Sequence, residues 1–210
     1  MHSRNERGER SRDLERVLTF VDAIAAVAIT LLILPLVDLA GEIRSEHDSV
    51  SELIRSHSGE FWSFALSFAV IARLWLAQHE LMQPVIAASR AVVLCLVAWT
   101  FAIVFLPFPT ALLSSGGDQT ITKVLYIGTL CVSSLCLALL ASAIRRDSTV
   151  LDSSAAGSVI PAAVTFALFA VAFVIAVSAP STGYYPLLLL VAGDGVTALV
   201  RKLAVGRRRP

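Results

Sequence analysis

Residues 16–39 read RVLTFVDAIAAVAITLLILPLVDL, and their reading decides the architecture. The stretch is long and apolar enough to cross a bilayer, which takes about 20 mostly apolar residues. Yet it opens on Arg16 and carries a carboxylate, Asp22, where hydrocarbon should begin. At about 100° per residue, with Val27 at zero, Leu31 falls near +40°, Leu34 near −20°, and Phe20 and Asp38 both near +20°. These five form one narrow stripe. Asp22 falls near −140°, on the opposite face. The carboxylate and the stripe therefore have separate jobs: one anchors the helix from behind, and the other looks elsewhere. Carried inward, the same phase puts Arg16 on the stripe, which suits a cation path badly unless the helix has already ended. Pro35 is placed to kink the helix before Asp38.

The composition agrees with a membrane setting. Of the 210 residues, 56% are hydrophobic and 16% charged, against about 25% charged in soluble domains. The apolar residues come in long runs, so the bilayer is the solvent to reason with. The net charge of +1 carries little information, because the charges gather at the ends and in loops. Cys95, Cys131 and Cys136 lie inside apolar runs without ligand-like spacing and read as small buried hydrophobes.

The runs predict an all-α membrane protein with six spans: 17–39, 60–82, 90–113, 123–144, 158–179 and 184–204. Turn signals at 114–118 and 180–183 separate several of them. Residues 1–16 then form an N-terminal segment, 17–204 the transmembrane domain and 205–210 a basic tail. Lysine and arginine placement sets the orientation. Arg4, Arg7, Arg10, Arg12, Arg16, Arg90, Arg145, Arg146, Arg201, Lys202 and the tail fall on one side, while Arg44, Arg55 and Lys123 fall on the other. Both termini are thus expected in the cytoplasm. The longest loop, 40–59, is then external and holds Glu42, Glu46, Asp48 and Glu52, an acidic surface that concentrates cations if a pathway opens beside it. The tail suits anionic lipid, and six residues make no nucleic-acid-binding domain.

Ionisable residues inside spans are costly and usually face protein or water. They are Asp22, Arg73, His79, Glu80 and Asp194. Depth favours a packed network of Asp22, Arg16, Trp75 and His79, with Arg73 above it. Each also reads, taken singly, as a clamp that fixes helix positions. Asp194, between Gly193 and Gly195, suits close helix approach.

The head of the first span, Arg16-x-x-x-Phe20-x-Asp22, is followed by Ala23-x-x-x-Val27-Ala28-Ile29-Thr30-Leu31-Leu32-x-Leu34. It resembles the transmembrane protein 175 family of potassium channels, whose first span begins R-x-x-x-F-S-D and continues close to A-I-A-I-T-L-L-V-L. Trp75-Leu76-Ala77-Gln78-His79 resembles the W-x-x-H-H that ends the family's second span. The chain departs from the pattern at Val21 for serine, Gln78 for the first histidine and Val27 for isoleucine. The resemblance implies a bacterial single-repeat member, hence a multi-pass protein of the bacterial cell membrane. It implies a homotetramer with the first helices around a pore that lacks a carbonyl-lined filter. It places constrictions at Val27, Leu31 and Leu34, and it makes Arg16, Phe20, Asp22, Trp75 and His79 a packing network behind the pore helix.

The function expected on that basis is passive, potassium-preferring conduction, with potassium as permeant ion and no cofactor or metal. Thr30 lies beside the stripe, near −60°, and Asp38 at the outer mouth. The alternative is a small proton-coupled transporter built on Asp22, Arg73, His79, Glu80 and Asp194, although no inverted repeat or pair of broken helices is visible. An enzyme is disfavoured: there is no HExxH, no GxSxG, and the four histidines are scattered.

Overall fold

The structure, a computed structural model, describes residues 2–39, 50–87, 89–114 and 119–146, with isolated positions between 165 and 174. The fifth and sixth expected spans fall almost wholly outside the described residues. So do Asp194, the basic tail and the acidic residues of 40–49.

The regular structure described is helical. α1 runs His2–Leu31, and α2 covers residues 34–39. α3 is Val50–Ser56, α4 Ser58–Met82, α5 Arg90–Phe105, α6 Pro107–Ser114 and α7 Gln119–Arg146. In hydrocarbon every backbone N–H and C=O must be satisfied within the segment, and a helix does this locally. Four stretches are long and apolar enough to span: Arg12–Leu39, Ser58–Met82, Arg90–Leu113 and Thr120–Arg146. They coincide with the first four spans expected from sequence, with shifted ends.

Two of these spans are each built from two helices, and a proline divides both. Pro35 has no N–H to offer the Leu31 carbonyl. The chain tightens there: Leu32 N–H donates to the Ile29 carbonyl and Ile33 N–H to that of Thr30, both at 3.3 Å. α2 then restarts with Pro35 in its first turn, where a missing donor costs little. Pro107 does the same in the third span. Leu106 N–H closes on the Ile103 carbonyl at 3.2 Å, and α6 begins at Pro107. At the other end of α5, the Ser89 hydroxyl caps the helix by accepting from Val92 N–H at 3.4 Å.

The fourth span is the centre of the bundle. Its most apolar window is 56% buried, against 22% for the first and second spans. α5 and α7 form the most extensive pairing, α1 rests on α5 and α4, and α6 fills the space beside α4 and α7. The α5 stripe Val92, Leu96, Trp99, Ile103 and Leu106 is fully buried, as is the α7 stripe Tyr126, Ile127, Leu130, Leu137 and Leu140. α1 contributes Leu14, Val21, Ala25 and Ala28, and the turn that follows it adds Leu32. The two alanines let the α1 backbone approach its neighbours closely, as small residues do in membrane bundles. So α1 lies at the edge of its own chain, with one arc inside and another outside.

The core is not uniformly apolar. The Ser67 hydroxyl on α4 lies 3.1 Å from that of Thr110 on α6 and 3.1 Å from that of Tyr126 on α7, all buried. This hub joins three helices. Ser67→Ala removes both of these contacts at once, whereas Tyr126→Phe leaves the Ser67–Thr110 contact in place. Interhelical hydrogen bonds in membranes contribute about 0.6 kcal/mol on average and up to about 1.7. Ser67→Ala is therefore expected to lower the thermal midpoint of the detergent-solubilised protein more than Tyr126→Phe, followed by tryptophan fluorescence. Equal midpoints would remove Ser67 from the centre of the hub.

Candidate pore-facing helix and its anchor

α1 is two-faced. Leu14, Val21, Ala25, Ala28 and Leu32 are at most 5% exposed. Phe20, Val27, Leu31 and Leu34 are 60%, 57%, 39% and 51% exposed. Asp38 and Thr30 are exposed as well. The stripe derived from spacing is thus a face that the rest of the described chain leaves open. Leu34 and Asp38 lie beyond the break at 32–33, so they belong to α2, and the break intervenes between them and the face of α1.

Behind that face, Trp75 Nε1 donates to Asp22 Oδ1 at 2.8 Å. The contact joins the first span to the second across 53 residues of sequence. A half-buried carboxylate that accepts an indole N–H is a charge-assisted bond, and the donor's apolar body packs where the helices meet. The His79 ring lies one turn along α4 from Trp75, with centroids 5.8 Å apart and planes 30° apart. His79 is itself exposed and Arg73 half-buried. The structure brings Asp22, Trp75 and His79 together in sequence of contact. It leaves Arg16 and Phe20 exposed on the other arc.

The Thr30 hydroxyl donates to the Val27 carbonyl at 2.7 Å. Its proton is committed to the helix backbone, which is how hydroxyls in membrane helices commonly satisfy themselves. The oxygen lone pairs stay on the exposed face. Glu80 is exposed near the end of α4. Cys95 and Cys131 are half-buried, Cys136 is buried, and none of the three is in a disulfide. Among the described residues no three His, Cys, Asp or Glu side chains gather where they could hold a metal ion.

Two positions that depart from the family pattern, Val21 and Gln78, are both buried to 1% exposure. Gln78 Oε1 has no hydrogen-bond partner among the described residues, nor do Trp99 Nε1 and Ser133 Oγ. Sequence reasoning missed these buried polar groups and the Ser67 hub. It weighed ionisable residues, whereas hydroxyls and amides in apolar runs give little signal. Thr100, Thr129 and Ser142 simply bond the carbonyl four residues back, and nothing in the sequence separates them from Ser67. Lys123, read as a residue of an outer segment, is buried at the start of α7.

Comparison with known families bears directly on this site. Residues 16–107 match the family model described as endosomal/lysosomal potassium channel TMEM175. The match covers α1 from Arg16 onward, α2, α3, all of α4 and α5, and therefore both partners of the Asp22–Trp75 bond. No curated protein matches the chain.

If that bond holds α1 in place, its two partners must be coupled. Trp75→Phe leaves the carboxylate without its donor, a cost of roughly 1–3 kcal/mol for a hydrogen bond to a charged group. Asp22→Asn keeps an oxygen acceptor and should cost less. In a double-mutant cycle of detergent unfolding, the pair is expected to cost less than the sum of the singles. Additive losses would mean that the contact contributes nothing of its own.

Proposed function

From the premise that residues 16–107 are TMEM175-family sequence, which implies potassium channel activity, we propose that this chain is a potassium-preferring cation channel. It assembles as a homotetramer in the bacterial cell membrane with both termini in the cytoplasm. The first helices surround the pore, and Val27, Leu31 and Leu34 form its constrictions. The observation that carries this reading is the open face of α1. Val27 and Leu31 stand exposed on it and Leu34 stands exposed beyond the break, while the opposite arc of α1 is buried and pinned through Asp22.

The mechanism follows from what such a line can do. Four copies of Val27, Leu31 and Leu34 make apolar collars. A narrow apolar collar disfavours water and ions and so gates by dewetting. When wide enough to conduct, it offers an ion no ligands, so the ion keeps much of its hydration. Potassium holds water less tightly than sodium and passes more easily. Selectivity is modest, because no ring of carbonyls reinforces it. Valine at position 27 is smaller than the isoleucine of the family pattern and leaves that collar slightly wider. Asp38 at the far mouth attracts cations, and the Thr30 oxygens lie within reach of a partly hydrated ion.

The carrier reading asks Asp22 to exchange protons with a path. Its Oδ1 is instead held by an indole that cannot accept a proton in return.

Single-channel recording of the purified protein in a planar bilayer, with potassium on one side and sodium on the other, tests the reading. Discrete steps with a reversal potential toward the potassium equilibrium are expected. Leu31→Ser should raise conductance and flatten selectivity, because a hydroxyl wets the collar. Currents identical to those of the unaltered chain would take Leu31 out of the pore.

A further inference from the structure

The stripe does not stop at the membrane boundary. α1 is one continuous helix from His2 to Leu31, so the condition under which Arg16 would leave the stripe is not met. Positions 13, 20 and 27 and positions 16, 23 and 30 repeat every seven residues along it, and all six are exposed. Leu14, Val21 and Ala28 repeat at the same interval on the buried arc. A seven-residue repeat on an open face is the pattern by which parallel helices pack against copies of themselves, and the small drift per heptad is absorbed by supercoiling.

On this seam the membrane positions are Phe20, Ala23, Val27 and Thr30, and the positions below them are Asp13 and Arg16. Arg12 and Glu15 flank these two. Asp13 and Arg16 are exposed, and neither enters an ion pair among the described residues. An open cavity of about 640 Å³ lies against the same face, lined among the described residues by Arg12, Glu15, Arg16, Thr19, Phe20 and Ala23. There is room here for side chains of another molecule.

We propose that Arg16 pairs with Asp13 of a neighbouring copy, forming an ionic clasp that closes the seam below the membrane and neutralises the mouth of the pore. The proposal rests on the oligomeric channel reading above and deepens it. Its occupant is a second copy because the surface is self-complementary. Three residues rise about 4.5 Å along a helix, so in a parallel ring the layer of carboxylates lies one turn from the layer of guanidiniums. Arg12 and Glu15 offer a second opposite-charge pair at the edge, in the reverse order. Unpaired, four arginines on the stripe would repel every cation approaching from that side. Paired with four aspartates, they leave the entrance neutral.

The test uses the full chain in nanodiscs, with subunit number read by native mass spectrometry over a range of salt. Asp13→Arg and Arg16→Asp each place like charges across the seam, so each alone is expected to shift the assembly toward smaller species at low salt. The double exchange restores opposite charges and should recover the unaltered distribution. In a second measurement, Asp13→Cys/Arg16→Cys is oxidised in membranes, and a ladder of covalent multimers is expected. Both reversals leaving an oligomeric distribution unchanged, together with the absence of a ladder, would overturn the clasp and leave the channel reading standing. A monomeric unaltered chain would overturn both, and that failure shows before any variant is made.

Discussion

The rotation of α1 is the constraint on which the rest depends. A helix at the edge of a bundle can turn about its axis at little cost when both arcs are apolar, because lipid accepts either. The bond from Trp75 Nε1 to Asp22 Oδ1 removes that freedom. Turning the helix would carry a carboxylate away from its donor and toward hydrocarbon, and no apolar gain on the other side compensates for that. With Asp22 held, every other residue of the helix is assigned by periodicity. Val21, Ala25 and Ala28 go inward, and Val27 and Leu31 go outward. The open face is thus a consequence of one polar contact on the opposite side.

The helices that receive α1 are built to hold still. α7 is buried for more than half of its apolar window and makes the longest contact with α5. The Ser67 hub ties α4, α6 and α7 near one level. Both proline breaks fall away from this hub's partners on α4 and α7. The break before Pro35 instead separates the part of the first span that the anchor controls from the part that carries Leu34 and Asp38. The phase of α1 is fixed by Asp22, whereas α2 takes its direction from the turn at 32–33.

Much of this was legible in the sequence. Hydrophobic length marked the four described spans, because hydrocarbon thickness admits few alternatives. The stripe and the carboxylate behind it followed from the 100° step alone. Depth, with two consecutive spans running in opposite directions, grouped Asp22 with Trp75 and His79 but did not single out the indole as the carboxylate's donor. What could not be read was anything that depends on which hydroxyl meets which. Ser67, Thr110 and Tyr126 are far apart in sequence, and a serine or threonine in a helix can satisfy itself on a local carbonyl, as Thr110 also does on that of Leu106. The break at Leu106 was also missed. Pro107 sits late in an apolar run, where length suggests one span and only the backbone shows two helices. Arg16 was expected to join the network behind the helix, yet it stands exposed on the other arc. Depth alone does not distinguish one face of a helix from the other, and the helix phase, which does, already pointed outward.

Arg16 then becomes the residue that tests the whole arrangement. If α1 ended at the membrane surface, its guanidinium would be free to swing into water, and its angular position would mean nothing. The helix instead continues to His2, so Arg16 keeps the angular register of Val27. On the channel reading proposed above, a cation pathway along that line must deal with a ring of positive charge, which solvent screening with a Debye length of about 8 Å leaves largely unscreened at shorter range. Compensating charge has to come from nearby, within about one helical turn, and from the same face. On this chain Asp13 meets both conditions, and it lies on the same seam. The charge that first counted against a cation path is then the reason that a carboxylate stands one turn below it.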